Sequence, residues 1–542
     1  MNWSHATPSA RQPILARNLI ATSQPLAAQA GAAAFARGGN AIDAALAAAI
    51  TLTVVEPTMN GIGGDAFALV WDGGQLHGLN AAGRSPAGWV PERFKGLEAM
   101  PSKGWESVTV PGVVSAWGAL SERFGQLPFE DLFVDALRYA RDGFPVSPVI
   151  ARQWATACTD FSGAPGFEAF LTRGRAPRTG ELWSFADQAS TLEDIARSRG
   201  ESFYRGRLAQ AIAANARLHG AVLTEHDLAA HQHEWVEPIS LNFRGHTVHE
   251  IPPSGQGIGA LIALGLLEHL PYDDTAPGSA ARLHLEVEAM RLAFADLNAH
   301  NADPAYMALR AEQLLDSDYL RQRARLIDPA RAGNYPAGQP HSGGTVYLCA
   351  ADAQGRMVSF IQSNFKGFGS GVVVPGTGIA LHNRGSGFVT TPGHPNQVAP
   401  AKRPFHTIIP AFMSRNGRPE MAFGVMGGNM QAQGHAQMVL RHVVEGLDPQ
   451  ACCSAARWRI NDAELLTLEA ATPTAVLQGL RERGHQPVVA APDSLDFGSA
   501  QMIVRLPAVA NFNFNANATA TADVPRYAGG SDPRRDGQAI GY

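Results

Sequence analysis

Cysteine is scarce in this 542-residue chain: Cys158, Cys349, Cys452 and Cys453 are its four cysteines, and none stands in a CxxC pair. A disulfide framework and a cysteine-based zinc site are therefore not suggested. An excess of positive charge is missing too. Lys and Arg number 43 against 48 Asp and Glu, a formal net charge of −5, so no basic field exists to hold nucleic acid or an anionic membrane. Long apolar runs are lacking. The longest, Ala44 to Val55, lies between Asp43 and Glu56 and is too short to span a bilayer. The first residues, Met1 to Asn18, show no uninterrupted apolar segment followed by a small-residue cleavage motif, which leads to the expectation of a cytoplasmic location.

Familiar catalytic signatures are absent as well. Gly367-Phe368-Gly369-Ser370-Gly371 has the wrong order for a GxSxG nucleophile elbow. No P-loop occurs, and Gly255-Gln256-Gly257-Ile258-Gly259 lacks the full dinucleotide fingerprint. The 18 histidines are scattered. His284 and Glu288, four apart, have the spacing of a metal-binding pair, but without an HExxH they read as a pair on a helix surface. No metal and no cofactor are expected.

What is present is a large globular chain, 45% hydrophobic and 17% charged, which excludes wholesale disorder. An Ala-rich helix is expected from Ser23 to Phe35, ended by Gly38-Gly39, with Asn40 capping an almost wholly apolar helix from Ile42 to Val54. Ala66 to Trp71 reads as a strand. Residues 113 to about 330 read as mostly helical, with the strongest helical spacing in Ala280 to Ala299. Asn334 to Gly344, rich in Pro and Gly, reads as an exposed flexible link. Strands follow: Thr345 to Ala351 and Arg356 to Ser363, joined by the turn Asp352-Ala353-Gln354-Gly355, then runs around 371–381, 405–413 and 420–425. Asn511 to Thr521 is low in complexity and reads as loop. A helix-heavy first part before a strand-heavy second suggests sheets covered by helices.

The informative junction is Gly344-Thr345. A Gly-rich link running into a hairpin whose first residue is Thr is what an N-terminal nucleophile hydrolase requires. Its precursor cuts itself before the Thr, which then supplies both an Oγ nucleophile and its own α-amine as base. An amine of pKa about 8 is suited to accept a hydroxyl proton near neutrality, and the β-branch of Thr limits χ1 and aims the hydroxyl.

Further segments, in order, carry a resemblance. They are Gly38-Gly39-Asn40-Ala41-Ile42-Asp43-Ala44-Ala45, Gly61-Ile62-Gly63-Gly64, Val110-Pro111-Gly112, Glu286 to Asp303, the Thr345 hairpin, Pro375-Gly376-Thr377-Gly378-Ile379, Gly427-Gly428 and Ser531-Asp532-Pro533-Arg534. Across nearly the whole chain these resemble the γ-glutamyltransferase family. The resemblance implies an α+β fold, the four-layer α/β/β/α sandwich of N-terminal nucleophile hydrolases. It implies a precursor cleaved between Gly344 and Thr345 into a large subunit, 1–344, and a small subunit, 345–542, that stay together as one composite domain; whether such heterodimers associate into homo-oligomers is left open. It places the nucleophile at Thr345, a supporting hydroxyl at Ser363, the oxyanion hole at Gly427 and Gly428, and a carboxylate-gripping arginine at Arg84.

Departures from the family pattern bear on the substrate. In His382-Asn383-Arg384-Gly385-Ser386, Ser386 stands where an aspartate that holds a substrate ammonium is expected, and the family's paired serines fall near Lys402-Arg403. Asn383, Arg384, Lys402 and Arg403 are thus candidates to line a pocket that has lost anion and gained cation. A buried ammonium without a counter-anion is costly. The expected substrate is a small amide bearing a carboxylate but no adjacent free amine, such as a diacid half-amide of the oxamate or glutaryl kind. The alternatives are an ordinary glutathione hydrolase or γ-glutamyltransferase and, from another class, an unprocessed binding protein on the same fold.

Overall fold

The computed structural model describes residues 11–333, 335, 344–461, 464–507 and 524–542. Most of the link before Thr345 and all of Asn511–Thr521 lie outside the described residues.

Two seven-stranded sheets form the centre. One runs, in spatial order, Gln538–Gly541, Leu19–Thr22, Gly344–Ala351, Met357–Phe365, Asp65–Trp71, Leu76–Asn80, Glu234–Val236. The other runs Ile14–Ala16, Tyr527–Ser531, Ser499–Arg505, Arg418–Met426, Ala411–Arg415, His246–Glu250, Ile239–Phe243. Neighbours in both sheets pair antiparallel.

Alternation along the Gly344–Ala351 strand shows how the layers stack. Val346, Leu348 and Ala350 join a core with the helices Pro25–Ala36 and Ala41–Val55. Tyr347, Cys349 and Ala351 join the core shared with the second sheet. Gly424 there is a matter of space, since a Cβ would stand 2.5 Å from the Tyr347 ring. Helices Gly257–Leu267, Ala280–His300 and Met430–Val439 belong to the second core. The result is the expected four-layer α/β/β/α sandwich.

Local signals account for the best-read elements. Asn40 Oδ1 accepts from Ile42 N and Asp43 N while Asp43 Oδ2 accepts from Asn40 N, a capping box. Every residue of Ala41–Val55 is buried, as its apolar composition requires. The expected Ala66 strand spans Asp65–Trp71, and the long helix Ala280–His300.

The division into a helical first part and a stranded second part needs correction. Ile239–Phe243 and His246–Glu250, inside the stretch expected to be mostly helical, are two strands of the second sheet. They are five residues each and carry polar residues, so neither composition nor length separates them from loop. Each sheet takes strands from both sides of Thr345. All four cysteines are free.

Candidate active site

Thr345 lies at the start of a central strand, where the hairpin register slips. Gly344 pairs with Phe365 but Val346 pairs with Gln362, so Ser363 and Asn364 together oppose Thr345. This is a β-bulge, a device that re-aims side chains. Thr345 Oγ1 donates to Ser363 Oγ at 3.3 Å. Phe365, at φ +76°, donates its N–H to the same Ser363 oxygen at 2.7 Å. Gln431 Nε2 donates to Thr345 Oγ1 at 3.3 Å, and Ile409 N holds the other end of that amide by donating to Gln431 Oε1 at 3.0 Å. The threonine hydroxyl is thus fully buried and oriented from two directions.

Gln431 also ties the Gly427-Gly428 turn to the threonine. Gly427 (φ +125°) and Gly428 (φ +61°) lie between the strand Arg418–Met426 and the helix Met430–Val439; an L side chain rarely adopts such angles. Gly427 O accepts from Met430 N, and Gly428 O accepts from Gln431 N and from Gln256 Nε2. Across a planar trans peptide the N–H opposes the C=O, so turning the Gly427 carbonyl into the helix turns the Gly428 N–H away from it. A pair of glycines at a helix N-terminus suits an anion.

Beside this lies a buried charge cluster that sequence reasoning did not assemble. Asp65 pairs in register with Ser363 on the neighbouring strand. Its Oδ1 accepts from Gly112 N (3.1 Å) and Gly83 N (3.3 Å). Its Oδ2 is 3.1 Å from His406 Nε2, 3.8 Å from His382 Nδ1 and 4.0 Å from Arg384 Nε. Burial alone pushes the Asp65 carboxyl up, but His382, His406 and Arg384 together hold it well below the usual carboxylate range. Burial, aided by Arg384, pushes His406 down to about 3. No spacing motif links Asp65, His382 and His406; only the fold brings them together.

Arg384 is fully buried, and burial lowers its guanidinium to about 9 against the opposing pull of Asp65. It lies 4.2 Å from the centre of the Phe365 ring, two residues from Ser363. Its Nη1 donates to Thr407 Oγ1 at 3.0 Å, whereas Nε and Nη2 make no hydrogen bond. Thr407 O and Gly428 O accept from the two hydrogens of the same Gln256 amide, which connects Arg384 to the glycine turn.

The remaining expected substrate-binding residues are committed elsewhere. Arg84, 41% exposed, pairs with Asp303 at 3.1 Å and Glu234 at 3.2 Å. Arg403 pairs with Glu234 at 2.8 Å and donates to Ala82 O. Lys402 Nζ donates to the carbonyls of Pro395 and Gln397 and lies over the Tyr306 ring; burial lowers it to about 8. Asn383 donates to Ser102 O and accepts from Lys366 N. Ser386 Oγ donates to Asn383 O. Acids from other segments, Glu234 and Asp303, therefore balance Arg84 and Arg403, leaving Arg384 as the one of these four cations that is buried with unsatisfied donors.

Two other readings change. His284 and Glu288 are not a helix-surface pair: both are fully buried, because the Ala280–His300 helix is covered along this face by the turn at His485. Gln256, in the glycine-rich stretch, is a brace between Thr407 and Gly428. Among the described residues no helix is long and apolar enough to cross a membrane.

This constellation, a strand-leading threonine between two sheets and a glycine turn across from it, is that of an N-terminal nucleophile hydrolase. The gamma-glutamyltranspeptidase family model matches residues 27–542, and the chain belongs to that family. The chain is 36% identical over 530 residues to an oxamate amidohydrolase proenzyme of Klebsiella pneumoniae, covering 95% of this chain and 97% of that one. It is 34% identical over 539 residues to a glutathione hydrolase-like proenzyme, YwrD, of Bacillus subtilis, covering 97% and 98%. The crystal structure of a cephalosporin acylase from Bacillus halodurans is 45% identical, with a TM-score of 0.92 over 100% of this chain and 99% of that one. The protein is accordingly an amide hydrolase of this family.

Proposed function

We propose that the chain cuts itself between Gly344 and Thr345 and then hydrolyses small carboxylate-bearing amides through an acyl-enzyme on Thr345. The observation that carries this reading is the Thr345 hydroxyl, buried at the head of a central strand and held between Ser363 and Gln431. In processing, Oγ1 attacks the Gly344 carbonyl carbon and the C–N bond breaks. The Oγ1 proton passes to the departing nitrogen, which becomes the free α-amine of Thr345, and water hydrolyses the resulting ester. The freed amine is then the base for the next attack, on a substrate amide. The backbone N–H groups of Gly427 and Gly428 receive the oxyanion; loss of one such donor costs roughly a hundredfold to a thousandfold in rate. An amine in place of water would make the same enzyme a transferase.

Arg384 is the residue we assign to the substrate carboxylate. Its unsatisfied Nε and Nη2, on a guanidinium packed over the Phe365 ring two residues from Ser363, make it a buried cation able to accept a further anion. Ser386 offers no charge to a substrate ammonium, which favours diacid half-amides; the amide substrate named for the Klebsiella relative supports this class.

N-terminal sequencing of the smaller fragment should begin at Thr345, and Thr345→Ala should remain one chain without amidase activity. Normal cleavage of that variant would move the nucleophile elsewhere. In kcat/KM, oxamate and glutaryl amides should exceed glutathione; a strong preference for glutathione would refute the substrate class.

A further inference from the structure

On the far side of the second sheet, three potential ligands converge from separate parts of the chain. His284 and Glu288 lie one turn apart on the Ala280–His300 helix, and His485 follows the helix Thr474–Glu482. One ligating atom from each lies within 4.8 Å of the others, and all three residues are buried.

The hydrogen bonds around them prepare lone pairs. His284 Nε2 faces the Asp328 carbonyl at 2.8 Å and must donate to it, which leaves Nδ1 of the neutral ring as an acceptor. That Nδ1 meets His485 Nε2 at 2.7 Å. A histidine donating its outer nitrogen to a backbone carbonyl is the usual arrangement behind a metal ligand. Glu288 Oε2 is fixed by Gly333 N at 2.7 Å. Its Oε1 is buried, accepts no hydrogen bond, and lies 4.0 Å from His485 Nε2. Arg291 Nε approaches the same oxygen at 3.7 Å without hydrogen bonding.

We propose that His284, Glu288 and His485 form a site for one zinc-like divalent cation. Two imidazoles and a carboxylate are a set that zinc accepts, with water completing four-coordination. Zn–N distances of about 2.0–2.1 Å put tetrahedral nitrogens about 3.3 Å apart, so the two nitrogens, 2.7 Å apart as a hydrogen-bonded pair, must part by about 0.6 Å. His485 shifts its proton from Nε2 to Nδ1. The ligands straddle the Gly344-Thr345 junction: two precede it and one follows it. Asp328 and Gly333, close before the link, bond to His284 and Glu288. A bound cation would therefore clamp the end of the first part to the second. The clamping role rests on the proposed cleavage; cation binding does not.

The test uses full-length protein stripped with chelator, dialysed, and offered Zn²⁺ alone, with Mg²⁺ as control. Elemental analysis after gel filtration should find one zinc per chain, no retained magnesium, and a raised Tm. Glu288→Gln and His485→Ala should each weaken retention by more than the roughly 10–100-fold that loss of an outer-shell partner costs. No stoichiometric zinc in the unaltered protein, or equal retention by the variants, would overturn the proposal. Uncut Thr345→Ala should bind zinc equally, so failure of cleavage and failure of the site are separately visible.

Discussion

Two buried arginine clusters stand on opposite sides of the molecule's function. Around Asp532, Arg457 donates to the carboxylate at 2.6 Å and to the carbonyls of Phe497 and Cys453. Arg534 adds a two-pronged grip on Glu469, both contacts 2.6 Å, and a bond to Asp532 Oδ1. Asp532 itself also accepts from Ala500 N and Arg534 N. Around Asp65, by contrast, Arg384 stands 4.0 Å from the carboxylate and leaves two of its nitrogens without a hydrogen bond. The first cluster is the more complete, since Arg457 leaves only Nε without a hydrogen bond and both Asp532 oxygens are bonded, and it braces the strand Ser499–Arg505 against the segment that holds Asp532. The second is incomplete beside the nucleophile. A buried donor without a partner is costly, and a carboxylate arriving there would relieve that cost.

The difference can be broken by substitution. The largest expected effect is at the more complete cluster. Asp532→Asn leaves the buried Arg457 without its anion, while Arg534 keeps Glu469, and breaking a buried pair costs about 3–5 kcal/mol. Urea unfolding should show that loss, with KM unchanged in the fraction that folds. At the incomplete cluster the pattern should invert. Arg384→Met should cost about 2–3 kcal/mol in kcat/KM for carboxylate-bearing amides, the worth of a charged hydrogen bond, while stability changes little, since Asp65 keeps His406 and two backbone N–H groups. If the variant loses stability and retains KM, Arg384 is a brace like Arg457.

A smaller effect separates the clusters by pH. Because His406 is held down to about 3 in the folded protein, against roughly 6.5 when unfolded, the unfolded state binds the extra proton between those values. The His406 contribution to stability is then full above about pH 6.5 and is lost as pH drops toward 3, with a slope from this group approaching about 1.4 kcal/mol per pH unit. Asp532, held at about 2 by Arg457 and Arg534 despite its burial, adds its own loss only below about pH 4. Tm measured against pH for the protein and His406→Gln should show the shallower slope in the variant between pH 6.5 and 4. An unchanged slope would mean that His406 does not carry this linkage.

Much of the frame was legible in the sequence for local reasons. The Asn40 cap, the all-apolar helix after it, the turn at Asp352 and the hairpin starting at Thr345 are set by residues close together in the chain. The ordered match of short glycine and proline motifs carried the family and, with it, the four layers. What stayed hidden was long-range. Asp65 meets His382 and His406 across more than 300 positions, and Gln431 reaches Thr345 across 86. His485 closes over His284 from 201 positions away, converting an apparent surface pair into a buried cluster.

The amino-acid order alone therefore determined the capped and strongly periodic elements, and where a threonine could lead a strand, but not the short polar strands Ile239–Phe243 and His246–Glu250, because capping, periodicity and turn chemistry act over a few residues. Tertiary structure alone decided which charges are answered. Arg84, Lys402, Arg403 and Arg384 are equally cationic on paper, and only packing assigns acids or carbonyls to three of them. It leaves the fourth buried with donors to spare, because burial strips away the water that would otherwise satisfy every one of them alike.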